Sequence, residues 1–261
     1  MASKSAKTKV QPIRPRDLLK PASGPIHPFD QVHGTDTSGL VPASDLVTGH
    51  PNDEHVTAYY AVAPSILRSL VEQWKETAPK HPIIEYTFLD MGAGKGRAAL
   101  LASEFPFREV IGVELNPAMA GIASANAARW RDAHASDPTA EPVSPVSIVE
   151  IDALEFSLPT TPTLLFLFHP FEDPVLKQVL RRIESAFIGR AGELDILYVN
   201  AEHGNLISRH PAFKLLWEGQ IPMSPEDHAA DLEAIAQQTE YGSTGDELCA
   251  IYRFVGRGNK D

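Results

Sequence analysis

Between an apolar run and a helix-forming stretch, the segment Phe88-Leu89-Asp90-Met91-Gly92-Ala93-Gly94-Lys95-Gly96-Arg97 places three glycines at alternate positions. Glycines at the end of a strand let the chain turn tightly and bring its backbone against a ligand with no Cβ in the way. The surroundings repeat the theme. Apolar runs at Tyr86–Asp90, Val110–Glu114, Val146–Ile151, Thr163–Phe168 and Leu194–Asn200 predict strands. Stretches at Lys95–Phe105, Pro117–Arg131 and Pro174–Ile188 predict helices, with a short one near Gly204–His210. Asn116-Pro117 reads as an N-cap followed by proline at the first helical position. Strands alternating with helices predict a parallel sheet covered on both faces.

What could such a loop hold? A phosphate loop needs four residues between its first glycine and a Gly-Lys-Ser/Thr, which this segment lacks. A dinucleotide fingerprint spaces its glycines G-x-G-x-x-G, whereas the spacing here is G-x-G-x-G. Asp90, two residues before the first glycine, is also a poor neighbour for a diphosphate. An acid there suits a cationic ligand without phosphate, a nucleoside bearing a charged amino-acid tail: S-adenosylmethionine. Glu114, eighteen residues beyond Gly96, closes the second strand, where a carboxylate can accept from both ribose hydroxyls. Asp152 closes the third strand and His169 the fourth. Polar residues at successive strand ends lie on the edge where open α/β sheets bind ligands.

The segment Asp90 to Gly96 resembles the first motif of the class I S-adenosylmethionine-dependent methyltransferases, D-x-G-x-G-x-G, in full. The resemblance runs from about Glu85 to Asn200. It implies an α/β fold, a Rossmann-like three-layer sandwich with a seven-stranded, mostly parallel sheet whose last strand is antiparallel. It also implies S-adenosyl-L-methionine as cofactor and S-adenosyl-L-homocysteine as product. Asp90, Met91, Gly92, Ala93, Gly94 and Gly96 would surround the methionine end, Glu114 and Leu115 the ribose, and Asp152 and Ala153 the adenine. Bacterial relatives fold a comparable lead-in over the cofactor side, which puts Thr37, Ser38 and Tyr60 near the cofactor.

The resemblance implies that His169 stands beside the transferred methyl, which makes it the candidate base or acceptor-orienting group. Amide- and amino-directed members of the class carry Asn or Asp there, in an N-P-P-Y or D-P-P-Y motif. This chain has His169-Pro170-Phe171, and imidazole cannot offer an NH2 group the paired donor and acceptor of an amide. Glu202-His203 could add polar groups on the same rim. The reading is methyl transfer to a small molecule or a protein side chain. Protein-lysine N-methylation is the alternative, and a non-catalytic cofactor-binding protein or an NAD(P)-dependent oxidoreductase are alternatives of another class.

Charge sharpens the choice of partner. The 261 residues carry a net −11; the first sixteen hold five cations and no acid, leaving −16 on the rest. Such a body repels polyanions, so no nucleic-acid partner is expected. Eight acids and no Lys or Arg lie between Leu215 and Tyr252, which suits a cationic acceptor, or simply a solvated surface. Residues 1–30 read as a disordered basic, proline-rich tail and 31–80 as a lead-in with a helix over Val56–Lys75. Residues 81–256 read as the catalytic domain, with an acidic insertion at about 218–247 that carries its own helix. A lone Cys249 and no long apolar run predict a cytoplasmic protein without a membrane span. No metal site is expected, since the ten histidines lack ligand spacing.

Overall fold

The computed structural model describes residues 25–236 and 243–257. Within them, seven strands form one sheet: β1 (Thr87–Met91), β2 (Glu109–Glu114), β3 (Val146–Glu150), β4 (Thr163–Phe168), β5 (Leu194–Val199), β6 (Phe213–Pro222) and β7 (Asp246–Phe254). Their order is β3-β2-β1-β4-β5-β7-β6. The first five run parallel, while β7 is antiparallel to β5 and β6. The chain leaves β1 for β2 on one side and returns to β4 on the other. That reversal opens a crevice above the C-terminal ends of β1 and β4, the place where such sheets bind ligands.

Among the described residues seven α-helices accompany the sheet: α1 (Pro28–His33), α2 (Pro64–Glu76), α3 (Arg97–Ala102), α4 (Pro117–Ser136), α5 (Asp173–Ala186), α6 (Gly204–Ser208) and α7 (Pro225–Ile235). One apolar cluster joins α2 and α3 to a sheet face, and a second joins α5 to the opposite face. The central strands β1, β4 and β5 are buried almost throughout, as their continuous apolar sequence requires. At the opposite edge from the crevice, buried Asp195 of β5 accepts from Trp74 Nε1 at 2.8 Å and from both Nε and Nη2 of Arg253 on β7 at 2.8 Å. That junction ties α2 and the antiparallel strand to the parallel sheet.

Several boundaries differ from the sequence reading, some for identifiable reasons. The apolar spacing at Val56–Ala63 continues the rhythm of α2, yet the helix begins at Pro64. Proline disfavours helical backbone in the residue before it, and Ala63 is extended (ψ 133°). Residues 56–62 instead form a strap bridged to Val41 through Tyr59 and to Phe171 through Val56. The tail boundary at residue 30 also moves, because α1 starts at Pro28 and buries Phe29 and Asp30. The cationic residues 1–16 lie outside the described residues. The acidic connection does carry a helix, α7, but residues 218–222 belong to β6 and Glu240 lies outside the described residues.

One acid of that connection is structural. No side chain adjacent in sequence caps α2. Asp227 of α7 reaches across to accept from Ser65 N at 2.7 Å and is only 6% exposed. Asp227→Ala would leave a part-buried N–H at the start of α2 without its side-chain partner. It is expected to cost about 1–3 kcal/mol, seen as a lower urea midpoint at unchanged slope.

Candidate functional site

β1 ends on Asp90 and Met91, and the chain then turns through Gly92 (φ 88°), Gly94 (φ 55°) and Gly96 (φ 89°) into α3. The amides of Gly92 and Ala93 both donate to Val113 O at 2.9 Å, which fixes the loop against β2. Gly92 and Gly94 have no room for a side chain. A Cβ at the first would overlap Pro170 at the end of β4, and one at the second would overlap the ring of Tyr59.

Glu114 at the end of β2 belongs to the same construction. Its carboxylate accepts from Gly94 N at 2.7 Å and Asn116 N at 2.8 Å. Burial raises its pKa, with those backbone donors acting in opposition. Asp90 is 3% exposed, and burial followed by the Glu114 charge pushes its carboxyl up to about 8. One of its oxygens, Oδ2, is buried without a hydrogen-bond partner. Such an orphan is costly, and it marks a place where a ligand group would be stabilising.

Neither cation of the loop is free to offset these acids. Lys95 Nζ donates to Asp36 at 3.0 Å and to Ser38 O at 2.8 Å. Arg97 Nε donates to Thr37 Oγ1 at 2.7 Å and its guanidinium lies 3.7 Å from Asp30.

Across the crevice, Asp152 accepts from Asn52 Nδ2 at 2.7 Å and from Leu154 N at 2.8 Å. Asn52 carries no motif and was not anticipated; its spatial neighbour lies a hundred residues away. Asp90, Gly92, Ala93, Gly94, Glu114, Leu115, Asp152, Ala153 and Tyr60 all line one cleft. Met91, Gly96, Thr37 and Ser38 do not line it. Met91 turns into the core beside α5, and Gly96 packs against Ala123 of α4. Thr37 and Ser38 turn away to Asp30.

His169 adopts left-handed backbone (φ 42°) just after β4, and its carbonyl accepts from Thr57 Oγ1 at 2.6 Å. Its ring stacks on His203 with centroids 5.0 Å apart, and Nε2 lies 3.7 Å from Glu202 Oε2. Burial lowers its pKa, so the ring is neutral near pH 7, and Nδ1 is buried without a partner. His169 does not line the cleft above. It faces a second cavity that shares Thr57, Ala58, Tyr60 and Phe168 with the first. Glu202, Asp231, Asp246 and Glu247 line that cavity, with no Lys or Arg among the described residues. Burial and the charges of Asp231 and Asp246 push Glu247 up to about 7.

No family model matches the chain. A release factor glutamine methyltransferase from Koribacter versatilis is 38% identical over 93 residues, 33% of this chain and 32% of that one. The chain thus spans about a third of the length of the curated relative it matches. Among solved structures, an RNA methyltransferase from Salinibacter ruber in complex with S-adenosyl-L-homocysteine is 13% identical at a TM-score of 0.43, covering 77% of this chain and 98% of that one. TrmN from Thermus thermophilus is 15% identical at 0.42, covering 74% and 49%. The fold assignment rests on the strand order and register themselves. Among the described residues no helix is long and apolar enough to cross a membrane.

Proposed function

We propose that this chain, which has the Rossmann-like fold of the class I S-adenosylmethionine-dependent methyltransferases, transfers a methyl group from that cofactor to a cationic amine on a small molecule or a protein side chain. The observation that carries the reading is the buried, unpartnered Asp90 oxygen beside the glycine loop. A ligand there must bring positive charge and no phosphate, because Lys95 and Arg97 are already engaged. A nicotinamide dinucleotide fits neither condition.

Asp90 and the backbone of Gly92 and Gly94 would hold the methionine end, Glu114 the ribose and Asp152 the adenine amine. When bound, the cofactor supplies a methyl group on a sulfonium, a displacement at carbon. The protein's part is alignment and exclusion of water. The acceptor enters through the acidic cavity, which shares four residues with the cofactor cleft. Its carboxylates attract a protonated amine, which must lose a proton before it can attack. His169, which lines that cavity and whose burial favours the neutral ring, would take that proton. A lysine side chain is the protein version of this acceptor. The relative's name concerns glutamine in a release factor, but His169-Pro170-Phe171 cannot present paired amide groups to a carboxamide.

The experiment is a titration with S-adenosylhomocysteine and NAD, followed by methyl transfer to a panel of primary amines, amides and RNA. S-adenosylhomocysteine should bind and NAD should not; the reverse sinks the reading. His169→Ala should lower turnover on the active amine by about 10²–10⁴-fold while cofactor affinity is kept. Unchanged turnover removes the base role, and preferred transfer to an amide or to RNA removes the amine assignment.

A further inference from the structure

One buried polar cluster, centred on Asp30 and Thr37, lies outside both cavities under the glycine loop, and reaches the cofactor cleft through Arg97 and Tyr59. α1 ends at Gly34, and the chain then folds back so that residues 35–38 surround the carboxylate of Asp30. Oδ1 accepts from Thr35 Oγ1 at 2.5 Å and Thr37 Oγ1 at 2.7 Å. Oδ2 accepts from Thr37 N at 2.8 Å and from the hydroxyl of Ser38. Asp30, Thr37 and Arg97 are all buried.

Every residue of the loop from Gly94 to Arg97 except Gly96 is held from this cluster. Arg97 donates to Thr37 Oγ1, the same hydroxyl that donates to Asp30. Lys95 donates to Asp36 and to the Ser38 carbonyl. Asn126 clamps the two segments together, donating to Asp36 O at 2.8 Å and Lys95 O at 2.9 Å while accepting from Asp36 N at 2.9 Å. The Tyr59 hydroxyl donates to Thr37 O at 2.6 Å, and its ring lies directly on Gly94. Gly94 N is in turn the donor that holds Glu114.

We infer that Asp30 is a positioning residue for the cofactor, acting through Thr37, Arg97 and Tyr59 to set the backbone of the glycine loop and, through Gly94, the Glu114 carboxylate. The inference rests on the reading that this loop takes S-adenosylmethionine. A buried ion pair in a core is a weak stabiliser compared with apolar packing. Its directional bonds fix one register between two segments that apolar contact alone would let slide. Asp30 itself lies behind the loop, separated from the cleft by Tyr59, so its effect on a ligand must be transmitted.

The test measures the S-adenosylhomocysteine dissociation constant by calorimetry on folded protein, well below each variant's melting temperature. Asp30→Asn keeps the shape but removes the charge, and it should weaken binding by about tenfold or more. Asp195→Asn breaks a buried ion pair at the far edge of the sheet. It should lower the melting temperature and leave the dissociation constant within about twofold. Equal affinity of wild type and Asp30→Asn overturns the inference while leaving the cofactor reading intact. A wild type that does not bind S-adenosylhomocysteine overturns the cofactor reading, and this inference with it. If Asp30→Asn does not fold, Tyr59→Phe decides, since it cuts only the link to Thr37. A weakening of about threefold or more supports the inference, and an unchanged constant overturns it.

Discussion

Asp90→Asn is expected to remove about 2–5 kcal/mol of S-adenosylmethionine binding and yet to stabilise the ligand-free protein in alkaline solution. Both effects follow from one carboxyl. Its pKa in the folded chain is about 8, raised from an ordinary 3.8 by burial and then by Glu114. A carboxyl raised on folding contributes stability that is fully present below about pH 4 and is lost as pH rises through 8. Asn resembles the protonated form, so the variant lacks that loss. Thermal melting of wild type and variant should coincide at about pH 4 and diverge progressively as pH rises towards 8, with the variant more stable by a few kcal/mol and the gap constant above that. Binding of a cation reverses the preference, because the carboxylate must then be ionised. Cofactor affinity should therefore rise from pH 6 to 8 with release of close to one proton, seen as a binding enthalpy that changes with the buffer. A flat pH profile with a buffer-independent enthalpy would sink the assignment of Asp90 to the cationic end.

The acids and glycines on this edge were legible because each closes an apolar run at a recognisable spacing. Asp90, Glu114 and Asp152 are separated in the chain by whole helix-strand units and Asp152 from His169 by a loop and β4, and the parallel sheet alone brings their strand ends together. Contacts made by the lead-in were not legible. Thr37 and Ser38 were expected at the cofactor because bacterial relatives fold a comparable lead-in over it, but a carboxylate seven and eight residues upstream claims both. Nothing local announces that Asp30 is buried; the reason is Arg97, on the far side of a turn whose own shape depends on the sheet. The same limit applies to Asn52 and Asp227, single polar residues whose partners come from distant elements. In the strap 56–62, apolar spacing imitates a helix that Pro64 prevents from forming. β6 is an edge strand whose exposed Glu218 and Gln220 look like the start of a loop, so the acidic insertion read from about residue 218 overlaps its second half.

Gly92→Ala and Gly121→Ala make the same chemical change and should move stability in opposite directions. Gly121 sits in the interior of α4, with ordinary helical backbone and open space where a Cβ would go. Alanine there removes unfolded-state freedom at no steric cost and should stabilise by about 0.5–1 kcal/mol. Gly92 has φ 88°, which costs an L-residue about 1–2 kcal/mol. Its new Cβ would also overlap the Pro170 Cβ, and Pro170 has no flexible end with which to yield. Either the glycine loop must retreat from β4 or the His169-Pro170 turn must retreat from the loop. Together these should cost about 3–5 kcal/mol. The damage should extend to function in a particular pattern. Because the displaced turn carries His169 into the acceptor cavity, Gly92→Ala protein that remains folded at low temperature should lose turnover by more than it loses cofactor affinity. A variant with native stability, or one whose only defect is in cofactor binding, would show that loop and fourth strand end are not mechanically joined at this contact.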